Sequence, residues 1–202
     1  QLSAGSTGVL YAQIKAGAPI DVFLSADQER PRLLEQEGLA VPGSRATYAQ
    51  GVLVLWSQNA ELLRGDGAAV LRGGHFAHLA LANPETAPYG RAAQQALLAL
   101  ELWDSLQPKL VRGQSVSQTM QFIASGNAEL GFLALSQVRS LHIEAAGSTW
   151  LVPDTLYRPI LQDLVLLKAA PHPAAAREFV AFLRSAAARQ RIEAMGYRVP
   201  AS

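Results

Sequence analysis

The stretch Ser3-Ala4-Gly5-Ser6-Thr7-Gly8 runs without a break into Val9-Leu10-Tyr11-Ala12-Gln13-Ile14-Lys15-Ala16-Gly17-Ala18-Pro19, then into Ile20-Asp21-Val22-Phe23-Leu24-Ser25-Ala26-Asp27. Read as a strand exit followed by a helix, it sets two hydroxyls between two glycines at a helix start. The first helical turn leaves backbone N–H groups unpaired. Those donors, with the positive end of the helix dipole, make an anion site. Glycine permits close backbone approach, and Ser6 and Thr7 add hydroxyl donors. No Lys or Arg lies within the loop, so it is built to hold an oxyanion through neutral donors. The same residues also describe an ordinary Ser/Thr helix cap, a common feature. A P-loop needs a lysine after the glycines, and none follows. Nor is Gly5-Ser6-Thr7-Gly8 the G-x-S-x-G of a serine nucleophile.

Composition narrows the function classes. A chain of 202 residues can bury a core as one domain or as two small lobes. Half of its residues are apolar and 16% are charged, as in an ordinary globular protein. A net charge of +1 argues against a nucleic-acid partner or a polyanion-gathering surface. The absence of cysteine removes disulfides and thiolate metal sites, and suits periplasm and cytoplasm equally. No apolar run approaches the roughly 20 residues of a membrane helix. No signal peptide is legible, since Gln1-Leu2-Ser3 begins abruptly.

Along the chain, Val9, Leu10, Gln13 and Ile14 predict a short amphipathic helix ended by Gly17 and Pro19. Val22-Phe23-Leu24 reads as a buried parallel strand, and Ser25 to Asp27 as the cap of a helix that stops at Gly38. Val52 to Trp56 is the clearest strand. A weaker helix is expected over Ala60 to Leu71, and strands over Leu79 to Ala82, Leu110 to Arg112, Leu130 to Leu135, Thr149 to Pro153 and Leu164 to Leu167. The loop Asn83-Pro84-Glu85-Thr86-Ala87-Pro88-Tyr89-Gly90 sits directly before a helix that begins near Arg91. Ser115-Val116-Ser117 opens another, ended by Gly126, and two more follow at Ala174–Leu183 and Ala186–Met195. This alternation predicts an α/β protein with parallel pairing. Ligands of such sheets collect at the carboxyl ends of strands, where the helices of Ser6-Thr7, Tyr89-Gly90 and Val116-Ser117 would start.

The string G-S-T-G-V-L-Y-A-Q-I-K-A-G-A-P-I-D-V-F-L-S-A-D resembles the molybdate-binding periplasmic proteins of the type II solute-binding class. N-P-E-T-A-P-Y-G, Q-S-V-S-Q, Leu102-Trp103-Asp104 and G-F-L-A-L-S-Q extend the resemblance over essentially the whole chain. It implies two α/β lobes joined by a hinge, residues 1–50 with 157–202 forming the first and 51–156 the second. It further implies that Thr7 is a hydroxyl ligand of the anion with Ser6 beside it, and that Tyr89 and Val116 offer backbone N–H groups. Ala134 stands where some members place a tyrosine whose hydroxyl reaches the anion. The family pattern opens with a β-α unit ahead of the Gly-Ser loop, so this sequence is expected to begin in the second strand. That absent unit would also have carried anion ligands.

Fixed N–H and O–H donors suit a fully ionised tetrahedral dianion and disfavour a protonated one. Phosphate, often protonated near neutral pH, should be rejected, and sulfate separated from molybdate by size. Tungstate, nearly the size of molybdate, should bind alike. Two lobes closing over the anion would supply donors from both sides. The resemblance thus implies a monomeric periplasmic protein that hands molybdate or tungstate to the membrane permease of an ABC importer, with no cofactor. Three alternatives remain: a binder of sulfate or another oxyanion, the effector-sensing domain of a regulator, and a small hydrolase using Ser6 or Thr7. No Ser-His-Asp set supports catalysis. His75, His78, His142 and His172 are scattered in polar contexts, so no protein-ligated cation is expected.

Overall fold

Three strands of this chain bury every residue they contain: Leu53–Ser57, Leu79–Ala82 and Leu130–Ala134. A strand without an exposed face needs cover on both sides, and that requirement shapes one half of the protein. In the computed structural model, residues 2–142 and 146–200 are described; Gln1, where the sequence begins, lies outside them. The chain divides into two compact units, Gln1–Gly51 with Ile160–Ser202, and Val52–Pro159.

The first unit contains α1 (Thr7–Lys15), β1 (Val22–Leu24), α2 (Glu29–Gln36) and β2 (Ala46–Gly51). Residues 2–6 enter α1 without joining a sheet, against the expectation of a strand there. Ile14 and Phe23 meet Leu34, Ala40, Val165 and Leu167 in a core that α1 and α2 close over one sheet face. Val9, expected on the buried side of α1, is 48% exposed, while Ile14 is buried.

The remaining strand of this unit is the last of the chain, and it lies in the centre of the sheet between β1 and β2, antiparallel to both. The expected parallel pairing of Val22–Leu24 is therefore wrong. A register shift between Thr47 and Ala49 leaves Tyr48 as an extra residue in β2. Asp163, fully buried on the central strand, accepts from Arg45 Nη1 at 2.7 Å, Thr47 Oγ1 at 2.6 Å and Gln28 Nε2 at 3.1 Å. A buried carboxylate is tolerable only when paired in this way.

In the second unit come β3 (Leu53–Ser57), α3 (Gly67–Gly73), β4 (Leu79–Ala82), α4 (Pro88–Ala99), α5 (Trp103–Leu106), β5 (Leu110–Gly113), α6 (Val116–Ala124), β6 (Leu130–Ala134), α7 (Leu135–Ser140) and β7 (Ser148–Leu151). The strand order is β5-β4-β6-β3-β7. Pairing of β4 with β5 and β6 is parallel, whereas β3 runs antiparallel to β6 and β7. On one face Val54, Trp56, Ala80 and Leu133 pack with Met120 and Ile123 of α6. Alternation sends Leu53, Leu55, Leu79, Leu81 and Phe132 to the other, and there α4, which contacts β3, β4 and β6, lies with Ala92, Ala93, Ala96 and Leu97 buried.

The helix expected over Ala60–Leu71 is a turn followed by α3. Asn59 Oδ1 captures the Glu61 N–H at 3.0 Å, Gly65 takes φ +101°, and only then does Asp66 cap a helix through Ala68 N–H at 2.9 Å. The chain returns to the first unit as β8 (Ile160–Leu166), α8 (Pro173–Leu183) and α9 (Ala186–Ala194). Arg198 in the tail bridges to Gln50 of β2.

Candidate functional site

In the first unit, α1 begins at Thr7 with Ser6 at its N-cap in an extended conformation, and Ser6 makes no side-chain capping bond. The plain capping reading of this serine therefore fails. Its Oγ is instead buried with no hydrogen-bond partner, a costly arrangement unless something outside the protein completes it. Thr7 is buried, and its Oγ1 accepts the Ala26 N–H at 3.2 Å. That bond uses a lone pair and leaves the hydroxyl proton to donate elsewhere. It also ties the start of α1 to the Ser25-Ala26-Asp27 turn that follows β1.

The turn is itself braced. Ser25 Oγ bonds Asp27 Oδ1 at 3.0 Å, Asp27 N–H returns to Ser25 Oγ at 3.1 Å, and Asp27 Oδ1 takes the Arg30 N–H at 3.0 Å. Asp27 thus works as the expected cap, one residue ahead of the formal N-cap Gln28, and its charge is paired with Arg30. The charges of this turn are thus spent on one another.

In the second unit, β5, β4 and β6 are neighbouring parallel strands, and each leads into a helix at the same sheet edge: α6, α4 and α7. This carboxyl edge is where α/β sheets place ligands. Tyr89 is the second residue of α4, after Pro88 at N1, whose missing N–H costs nothing there. The residue is buried, and as the second residue of the helix its N–H has no intrahelical acceptor by geometry. Val116 is the first residue of α6; Ser115 Oγ caps Gln118 N–H at 3.2 Å, and Ser115 O accepts Thr119 N–H at 3.0 Å. The N–H groups of Val116 and Ser117 have no intrahelical acceptor by geometry. Asn83 N–H bonds Gly113 O at 2.7 Å and holds the two strand ends together.

Gly90 carries a constraint that motif reading missed. A Cβ there would stand 2.1 Å from Ala82 O and 2.9 Å from Asn83 C. The first turn of α4 is therefore seated against the end of β4, a fit only glycine allows. A glycine just inside a helix is the one sequence signal that could have flagged it. The Thr7–Ala26 bond had none, because its donor is a main-chain group 19 residues away.

Structure thus brings Ser6 and Thr7 together in the first unit, and places Tyr89 and Val116 on adjacent helix starts in the second. Two surface hollows lie elsewhere: one of about 430 Å³ includes Thr47, Tyr48, Arg184 and Arg189, and one of about 340 Å³ includes Glu85, Arg91, Trp103 and Arg112. Neither is lined by Ser6, Thr7, Tyr89 or Val116. Arg112 is already committed, with Nη2 2.8 Å from Gln107 Oε1 and its guanidinium 5.8 Å from the Trp103 ring centroid. Among the described residues no group of three His, Asp or Glu could hold a metal ion, and no helix is long and apolar enough to cross a membrane.

The model of the bacterial extracellular solute-binding protein family matches residues 1–198. The molybdate-binding protein ModA of Azotobacter vinelandii is 50% identical over 96% of this chain and 77% of its own length. ModA of Rhodobacter capsulatus is 47% identical over 96% of this chain and 75% of its own. A solved structure of the Azotobacter vinelandii periplasmic molybdate-binding protein superposes with a TM-score of 0.92 at 44% identity, covering 98% of this chain and 87% of that one. With the α/β architecture and the helix-start donors in place, the chain belongs to the bacterial extracellular solute-binding proteins, in the branch that holds the molybdate-binding proteins.

Proposed function

We propose that this protein captures molybdate, and tungstate equally, in the periplasm and delivers it as a monomer to the membrane permease of an ABC importer. In this reading Thr7 donates its hydroxyl proton to the anion, Ser6 Oγ supports the same loop, and Tyr89 and Val116 contribute backbone N–H groups. The relatives named above support the ligand class. The observation that carries the site is the pair of buried hydroxyls at the start of α1: Ser6 Oγ has no partner, and the oxygen of Thr7 accepts the Ala26 N–H, which leaves its proton to donate.

Physical chemistry favours a dianion over a neutral or cationic ligand. Each charge-assisted hydrogen bond contributes about 1.5–3 kcal/mol, so several neutral donors hold a dianion without a buried counter-ion to desolvate. The N–H groups among them offer no acceptor to a protonated oxyanion, which sets phosphate at a disadvantage. The relatives named above are binding proteins, and binding rather than catalysis is the reading they support.

Calorimetric titration with molybdate, tungstate, sulfate and phosphate at pH 7 tests this. Molybdate and tungstate should bind tightly and alike, sulfate more weakly and phosphate least. Tighter binding of sulfate, or no heat with any oxyanion, would contradict the proposal.

A further inference from the structure

Gln137 sits in the first turn of α7, immediately beyond the end of β6, and its side chain crosses to the neighbouring helix start. Its Nε2 lies 3.5 Å from Ser117 Oγ, the second residue of α6. The other amide terminus, Oε1, is buried and has no hydrogen-bond partner. Ala134, the last residue of β6, presents only a methyl group at this junction. The amide is thus half used: one end reaches the side chain of the second residue of α6, and the other is shut away from solvent without a partner.

An amide carries a donor end and an acceptor end of nearly equal size, and rotation by 180° about Cγ–Cδ exchanges them. In the exchanged orientation the carbonyl oxygen accepts from the Ser117 hydroxyl, and the NH₂ group takes the buried, unpartnered position. In either orientation one polar atom is left unpaired within the protein, at a cost comparable to a lost hydrogen bond. An oxyanion at the start of α6 resolves this in only one way, because it can accept from the NH₂ group but has nothing to give the carbonyl oxygen. We infer that Gln137 donates a side-chain N–H to the bound oxyanion, adding a side-chain ligand beside the backbone donors of α6 in the second unit.

This inference rests on the molybdate reading, and the test separates the two. Molybdate is titrated calorimetrically into the parent, Gln137→Glu and Gln137→Ala proteins, with melting temperatures measured without ligand. Glu keeps the shape and length of the side chain but replaces the donor with a like-charged acceptor, so it should lose about a hundredfold or more in affinity, and Ala, which buries no charge, separates that loss from any fall in melting temperature. Ala should lose about ten- to a hundredfold, the worth of one hydrogen bond to a charged group. In proton–nitrogen spectra of the parent, the Gln137 side-chain NH₂ signals should shift on adding molybdate. A parent that binds molybdate while Gln137→Glu binds within twofold of it, or whose Gln137 NH₂ signals stay still, overturns the inference alone. A parent that binds no oxyanion overturns the functional reading and this inference together.

Discussion

Gly90→Ala adds a single methyl where the structure has no room for one. The new Cβ would lie 2.1 Å from Ala82 O, so the start of α4 or the end of β4 must yield by about 0.9 Å to reach even the 3.0 Å limit of real contacts. The neighbour is strand backbone, held in the sheet by β5 and β6, and cannot swing aside as a side chain would. Overpacking of this kind costs about 1–3 kcal/mol, and a collision with fixed backbone belongs at the upper end. Alanine recovers up to about 1 kcal/mol of helix propensity over glycine, which leaves a net loss near 2 kcal/mol. For a chain of this size that lowers Tm by roughly 4–8 °C. The same displacement moves the Tyr89 N–H by a comparable distance, enough to stretch a 2.9 Å hydrogen bond beyond the usual range. Molybdate affinity should then fall about tenfold. Thermal unfolding followed by circular dichroism reads the first effect and calorimetry the second. A variant that melts with the parent and binds as tightly would refute both the seating of α4 on β4 and the use of its first turn as a donor.

Other expectations follow from single contacts. Thr7→Ala should weaken molybdate binding by about 1.5–3 kcal/mol and also lower Tm, because the Ala26 N–H loses its acceptor; Thr7→Ser should restore both, and calorimetry with melting curves reads the pair. Burial pushes the Glu129 carboxyl up, but the N–H groups of His78 and Ala77 outweigh it and hold it below its ordinary value of 4.5. A depressed carboxyl contributes stability above its unfolded value, and that contribution is lost as pH falls through the folded one. Glu129→Gln should therefore flatten the acid limb of a Tm-against-pH profile below about pH 4.5. The effect should be small, because the side chain is exposed and screened.

Much of the second unit was legible in the sequence for a physical reason. Leu79–Ala82, followed by Asn-Pro, and the run from Leu130 to Leu135, set between Glu129 and Ser136, are continuous apolar stretches, as doubly covered strands must be. Ser115 before Val116, and Gly126 after Ala124, mark the ends of α6 by local capping chemistry alone. What stayed hidden depended on distant partners. Strand β2 was missed because the extra Tyr48 breaks its alternation, and its polar residues turn toward Asp163, more than a hundred positions away. The direction of β1 was misread because three apolar residues carry no orientation, and the strand that fixes it comes from the far end of the chain. Of the candidate site, the hydroxyl pair was visible as a motif. The roles proposed for Tyr89 and Val116 use main-chain N–H groups, which leave no trace in side-chain identity and were reachable only through the resemblance.

The central claim is that neutral N–H and O–H donors at these helix starts hold the anion. It is tested most directly by a proton–nitrogen correlation spectrum of the protein titrated with molybdate. A hydrogen bond to a dianion deshields its amide proton, so the Tyr89 and Val116 amide signals should move strongly downfield and saturate at one equivalent. Thr7→Ala should weaken that saturation without changing which amides respond. Tight binding that leaves the Tyr89 and Val116 amides unmoved, with shifts gathered instead around Arg91 and Arg112, would contradict the account and place the anion elsewhere.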